Sequence, residues 1–309
     1  MPRDTALAFA PASVGNVAVG FDILGHSVPV MGDRVRAIRI PDRSVRIAGI
    51  TGVVTDLPLT AERNTAGMAV ASLIERLGLD HGFELTIEKG IPLGSGLGGS
   101  AASAVAAVVA ANALLAQPAD PIDLLKCAIR GEAVASGTAH VDNIAPSLYG
   151  GLVLTVGIDE PIVRHIPVPD VVRCVLVHPH MELTTRASRG VLQRTTALSD
   201  VVWQQANLAG FLTGCFTGDV GLIRASMIDV VIEPQRKALI PGFDAVKDAA
   251  LTNGSLGCSI SGGGPTVFAW CEDAQAASVR DAMVRAFGSH GVASDAWIVQ
   301  IENVGARLT

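Results

Sequence analysis

The chemistry most legible in this chain belongs to its main chain. Glycines 94, 96, 98 and 99 fall within Ile91-Pro-Leu-Gly-Ser-Gly-Leu-Gly-Gly-Ser-Ala-Ala-Ser103, and an almost wholly apolar run follows to Leu115. Glycine at these positions removes the Cβ atoms that would hold a bulky anion off the backbone. Ser100 then opens a helix. A helix start presents unpaired N–H groups and the positive end of the dipole. Turn and helix together make a phosphate cradle from backbone.

Two familiar phosphate loops fit this stretch poorly. Gly94, Gly96 and Gly99 satisfy G-x-G-x-x-G. A dinucleotide fold, however, needs a buried strand before the turn and a strand ending in an acid about 20 residues later. Here Phe83-Glu-Leu-Thr-Ile-Glu-Lys89 alternates apolar and polar, and Pro121 to Arg130 reads as a helix. A Walker loop would end in Gly-Lys-Ser/Thr, yet no lysine lies between Lys89 and Lys126. The plain alternative is a glycine-rich connection that lets a helix pack closely.

Three motifs in order carry a resemblance. Pro92 to Ala102 resembles the central signature of the GHMP kinases, P-x-x-x-G-L-G-S-S-A-A. Ala10-Pro-Ala-Ser-Val-Gly-Asn-Val-Ala-Val-Gly-Phe-Asp22 is similar to that family's N-terminal motif, and Ser261-Gly-Gly-Gly-Pro-Thr266 to its C-terminal glycine motif. Within the family, Asn16 to Asp22, Gly131 to Pro146, Glu233-Pro-Gln-Arg236 and Ile240-Pro-Gly-Phe243 are most similar to the members that phosphorylate homoserine. The resemblance implies an α+β chain of two domains. The N-terminal one, residues 1–160, would be like ribosomal protein S5 domain 2, and residues 161–309 would be ferredoxin-like. It also implies phosphoryl transfer from ATP, with Mg²⁺, to homoserine, on the route to threonine. Another small-molecule alcohol, or an inactive nucleotide-binding relative, are the competing readings. The chain departs from the pattern at Gly99 and Gly263, where serine is usual. Each change keeps a backbone N–H and loses a hydroxyl, a neutral bond of about 1 kcal/mol.

The resemblance assigns roles residue by residue. Pro92, Leu93, Gly94, Ser95, Gly96, Leu97, Gly98, Gly99, Ser100, Ala101 and Ala102 would hold the nucleotide phosphates, and Asn64 would border the adenine. For Asn64 an ordinary helix N-cap is an equal reading. Ser100 and Glu132 would hold the metal; hydroxyl, carboxylate and phosphate oxygens suit Mg²⁺. Taken singly, Ser100 reads as an N-cap and Glu132 as an exposed helix carboxylate. Asn16 and Asp22 suit an ammonium. Arg189 and Arg236 suit a carboxylate, which guanidinium binds bidentately, although a lone arginine is usually a solvated one. His140, Asn143, Thr185 and Gly263 match further positions around the amino acid. Asn143 would touch the reacting hydroxyl. Asp142 falls where related kinases place a catalytic aspartate, and its part as base stays open, since a loose transition state needs little base assistance. Ser13 stands where mevalonate and galactose kinases carry a cation. His140-Val-Asp142 and His178-Pro-His180 lack a third metal ligand at a persuasive spacing.

Bulk properties agree. The chain has 309 residues, 49% hydrophobic and 17% charged, with net charge −6. That excludes disorder and, with no basic patch, argues against nucleic acid as a partner. Five cysteines, an odd number without C-x-x-C, suggest reduced thiols in a cytoplasm. No signal peptide is expected, and the apolar helix from Ala101 is too short for a membrane. The oligomeric state stays open, a homodimer included. Strands are expected at 5–10, 28–40, 44–50, 83–89, 150–157, 171–178, 256–261, 266–271 and 296–302. Helices are expected at 63–78, 100–115, 122–136, 186–197, 200–217, 219–230, 242–253 and 273–287, with the domain boundary in the proline-spaced 158–170.

Overall fold

The computed structural model describes residues 4–136, 141–157 and 159–309. In chain order the first half holds β1 (Thr5–Gly15), β2 (Leu24–Ile40), β3 (Val45–Gly52), α1 (Thr65–Leu77), β4 (Gly82–Lys89), α2 (Gly99–Asn112), α3 (Pro121–Ser136), α4 (Val141–Tyr149), β5 (Leu152–Val156) and β6 (Ile162–Ile166). The second half holds β7 (Val172–Pro179), α5 (Thr185–Gly190), α6 (Leu198–Thr217), α7 (Val220–Ser226), α8 (Glu233–Arg236), α9 (Phe243–Thr252), β8 (Gly257–Ile260), β9 (Val267–Glu272), α10 (Ala276–Ser289), β10 (Ser294–Gln300) and β11 (Arg307–Leu308).

A seven-stranded sheet runs β11-β1-β2-β4-β3, with β5 pairing both β2 and β6. Only β3 and β4 are parallel in it. The second sheet, β10-β7-β9-β8, is antiparallel throughout. Counted along the chain that is the order 4-1-3-2 of a ferredoxin-like half, as expected. The alternation read in 83–89 is real: Phe83, Leu85 and Ile87 face the core and Glu88 is exposed. Helix α2 lies at the centre, against β1, β2, α1, α3 and α4. Ala101 to Ala111 is buried apart from half-exposed Val109, and alanine lets the neighbouring elements approach on every side.

Several expectations shift. Residues 158–170 contain β6, which pairs with β5 and so extends the first sheet. The helix expected at 186–197 stops at Gly190; residues 193–199 are exposed, and Thr195 and Thr196 are poor helix formers with nothing to pack against. The helix expected at 219–230 stops at Ser226, because Asp229 takes the N–H groups of Val231, Ile232 and Glu233 and starts α8 instead. Helix α4, with Pro146 inside it, carried no clear sequence signal. The C-terminus returns to the first sheet: β11 pairs with β1, and the Gly151 N–H bonds the Glu302 carbonyl at 2.8 Å. All five cysteines are buried and free. Among the described residues no helix is long and apolar enough to cross a membrane.

The two sheets meet at Trp270 on β9. Its ring stands 5.3 Å from Phe211 and 5.8 Å from His26 of β2, and its indole N–H points at His26 Nε2 at 3.4 Å. Burial lowers the His26 pKa from 6.5 to about 4. The unfolded chain therefore binds the extra proton between those values. Stability from neutral His26 is fully present above 6.5 and is lost as pH falls toward 4. In urea titrations from pH 7.5 to 4, wild type should lose about 3 kcal/mol more than His26→Gln.

Candidate active site

The glycine loop between β4 and α2 is gripped from outside by its carbonyls. Gly94 O accepts from Leu183 N at 3.0 Å, Ser95 O from the Thr266 hydroxyl at 2.6 Å, Gly96 O from Ser261 Oγ at 2.7 Å, and Leu97 O from Ser13 N at 3.1 Å. Four successive carbonyls thus bond to residues of the other two motifs and to the segment before α5. The backbone has positive φ at every second residue, 94, 96 and 98. Such alternation gathers N–H groups into a concave anion nest.

This changes why glycine is needed. A Cβ at Gly96 would lie 2.6 Å from the carbonyl oxygens of both Ser261 and Gly264, and one at Gly98 would lie 2.3 Å from Ser13 Oγ. The nearest obstacles are the neighbouring motifs, where the sequence suggested only room for an anion. A Cβ at Gly99 would face Ile91 Cγ2 at 3.2 Å and Lys89 Nζ at 3.6 Å, and one at Gly263 the Ser188 side chain at 3.3 Å. The hydroxyls missing there would lie against protein on those sides.

One cavity of about 660 Å³ is lined by the loop and by nearly every residue singled out above: Asn16, Asp22, Asn64, Glu132, Asp142, Asn143, Thr185, Arg189, Arg236 and Gly263 among them. Leu97, Ala101 and Ala102 do not line it; they are buried and pack the loop and helix. His140 lies outside the described residues. Asn64 is the N-cap of α1, accepting from Ala66 N and Gly67 N, and it also lines the cavity. Leu57, Pro58, Ile87, Ile91 and Leu93 make the apolar wall beside it.

Ser100 is not an N-cap. Gly98 occupies that place, and Ser100 Oγ donates to Glu132 Oε1 at 2.9 Å. Nor is Glu132 exposed. Burial, with Asp142 nearby, raises its pKa from 4.5 to about 7 despite the Ser100 bond. Asp142 is raised from 3.8 to about 7, by burial first and then by Asp22, against the pull of Arg189 and Arg236. Ser13 Oγ donates to Asn143 Oδ1 at 3.0 Å, which orients that amide.

At the other end Arg189 bonds Asp22 at 2.5 Å. Arg236 is buried and gives two donors to carbonyls, Ser188 O at 3.2 Å and Gly262 O at 3.0 Å. Both guanidinium groups lie over Phe21, at 5.3 and 5.2 Å. Neither arginine is a solvated surface residue. Gly262 O also accepts from Asn16 Nδ2 at 2.9 Å, while Asn16 Oδ1 accepts from Asp22 N. Asn16, Val17 and Ala18 are left-handed, with φ of 69°, 43° and 60°. For residues with a Cβ this costs roughly 1–2 kcal/mol each.

Sequence reasoning missed the pair beneath the loop. Lys89 is buried against Asp33 and donates to Gly99 O at 2.7 Å and Ser103 Oγ at 2.8 Å. Asp33 also accepts from the N–H groups of Gly90 and Ile91. The loop itself lacks a lysine, yet a lysine holds its base and lines the cavity. A signal existed: Lys89 follows Phe83, Leu85 and Ile87 in the inward register, as Asp33 precedes Val35 and Ala37.

With this geometry in hand, the family models for the GHMP kinases N terminal domain and the GHMP kinases C terminal match residues 64–151 and 211–290. Among curated relatives, a homoserine kinase of Xylella fastidiosa is 51% identical over 98% of this chain and 94% of its own length. One from Chlorobium phaeobacteroides is 41% identical over 98% and 99%. Among solved structures, the crystal structure of homoserine kinase from Cytophaga hutchinsonii has a TM-score of 0.95 at 42% identity, covering 100% of this chain and 98% of that one.

The contacts rank the loop glycines. Gly96→Ala combines positive φ with a backbone clash and should cost at least about 2 kcal/mol of stability. Gly99→Ala should cost under about 1 kcal/mol, because only the Ile91 side chain must give way. Chemical denaturation of both variants checks the order.

Proposed function

Because the chain belongs to the GHMP kinases, on their homoserine kinase branch, we propose that it transfers the γ-phosphoryl group of ATP to the hydroxyl of L-homoserine. The products are O-phospho-L-homoserine, an intermediate toward threonine, and ADP. One observation carries the reading: a single cavity is lined both by a main-chain anion nest and by opposed charges, Asp22 and Asp142 with Arg189 and Arg236.

The nest and the start of α2 would take the phosphates, and the adenine would lie along Leu57, Pro58, Ile87 and Leu93 beside Asn64. Homoserine is a zwitterion, and the resting site already holds the complementary pair, Asp22 with Arg189. Its carboxylate would exchange onto Arg189 and Arg236, and its ammonium onto Asp22 and the Asn16 amide. The exchange leaves no buried charge unpaired, which is the costly outcome. Phe21 holds the guanidinium planes.

The hydroxyl oxygen of homoserine forms a bond to the γ-phosphorus as the bond from that phosphorus to the β,γ-bridging oxygen breaks. The hydroxyl proton leaves to Asp142 or to water. With its pKa near 7, Asp142 can hold that proton at neutral pH. Asn143, oriented by Ser13, would bind the hydroxyl. Positioning does most of the work, because phosphoryl transfer asks little covalent chemistry of the protein.

Ser100 and Glu132 fit a Mg²⁺ ion by their chemistry, a hydroxyl and a carboxylate already 2.9 Å apart. Oxygens of a bound nucleotide would add to that donor set. Bound there, Mg²⁺ would neutralise charge developing on the phosphoryl group.

ADP release with Mg-ATP against homoserine, mevalonate, galactose and shikimate tests the reading; homoserine should be preferred, and silence with all four defeats it. Arg236→Ala should raise the homoserine KM roughly ten- to a hundredfold, with ATP binding by calorimetry little changed. Glu132 ligates only when ionised. The half-saturating Mg²⁺ concentration should therefore rise as pH falls below about 7, by up to about tenfold per unit, and level off above it. Glu132→Gln should lower turnover by orders of magnitude and flatten that dependence.

A further inference from the structure

The amino-acid end of the site is assembled from two turns far apart in sequence. Residues 16–22 carry Asn16 and Asp22. The turn before α8 leads to Arg236, and Asp229 shapes it by accepting three successive N–H groups. The first turn is not self-sustaining. Three consecutive residues with side chains are left-handed there, held locally by Val19 N to Val17 O and Gly20 N to Asn16 O, each 2.8 Å. Such backbone persists only where its surroundings over-determine it.

One side chain bonds both turns. Gln204, in the first half of α6, donates from Nε2 to the Val19 carbonyl at 3.2 Å and accepts at Oε1 from Val230 N at 3.0 Å. A carboxamide serves both ends because it is donor and acceptor at once. Asn207, one turn further along α6, reaches only the second turn, at Ile228 O, 2.7 Å.

We propose that Gln204 is a positioning residue for substrate selection: alongside the Gly262 carbonyl, which accepts from both Asn16 and Arg236, it helps to set the spacing between the ammonium-binding and carboxylate-binding halves of the site. It touches no reacting atom. Its effect passes through Val19 to the left-handed turn and through Val230 to the arginine turn. The proposal rests on the homoserine reading above.

The test compares wild type, Gln204→Met, Gln204→Glu and Asn207→Ala in the full-length protein. Each is measured for homoserine KM and kcat, for activity on 3-aminopropan-1-ol, which is homoserine without its carboxylate, for ATP binding and for the urea midpoint. Gln204→Met should raise the homoserine KM about tenfold or more for two lost neutral bonds. ATP binding should not move. The preference for homoserine over the amino alcohol should shrink, because the two halves no longer keep their spacing. Gln204→Glu keeps the acceptor and loses the donor, so its preference should also shrink. Asn207→Ala should lower the urea midpoint and keep the preference. If Gln204→Met loses stability as Asn207→Ala does while its homoserine KM and preference stay at wild-type values, Gln204 is structural and the proposal fails. If wild type releases no homoserine-dependent ADP, the functional reading fails and takes the proposal with it.

Discussion

Everything at the glycine-loop end of the cavity depends on where four backbone carbonyls go. Those of residues 94 to 97 bond outward, to Leu183, Thr266, Ser261 and Ser13. A peptide unit that commits its oxygen outward can turn its N–H inward, and positive φ at alternate glycines lets successive units do so together. The nest is thus a product of contacts from both sheets. Neither half of the chain would hold the loop in this form alone. The buried Asp33–Lys89 pair braces the loop from below, tying the end of β4 to the first turn of α2.

The same logic of shared ownership governs the charges. Glu132 and Asp142 sit buried with pKa values near neutrality, raised chiefly by desolvation. Across the cavity Arg236 is lowered to about 10 by burial and by Arg189, and still stays charged at neutral pH. Two acids poised near 7 and two fixed cations form a site whose charge can adjust to an incoming anion, zwitterion or metal. Removing any one of them leaves the others less compensated, so their effects should be non-additive. Left-handed backbone at 16–18 places Asn16 and Asp22 within this field. The conformational cost is offset by burial of Val17, Ala18 and Val19.

The sequence by itself determined a great deal. Three spaced motifs pointed to the family and the two-domain α+β fold, and alternation in 83–89 found the strand that feeds the loop. These signals are local: turn glycines, helix starts and strand periodicity each show within a short window. What the window could not hold was partnership. Ser100 read as an N-cap and Glu132 as a surface acid, because their 2.9 Å bond joins residues 32 apart. Lys89 and Asp33 drew no reading of their own, because their pairing under α2 joins residues 56 apart. Gln204 gave no signal, since its two partners lie 185 and 26 residues away. Helix ends at 190 and 226 were decided by exposure, which left the weak helix formers Thr195 and Thr196 without packing, and by the Asp229 carboxylate. Even the loop glycines were found for an incomplete reason. Their spacing was visible, but the carbonyls that crowd Gly96 come from residues 165 and more positions away, and only tertiary packing places an atom there.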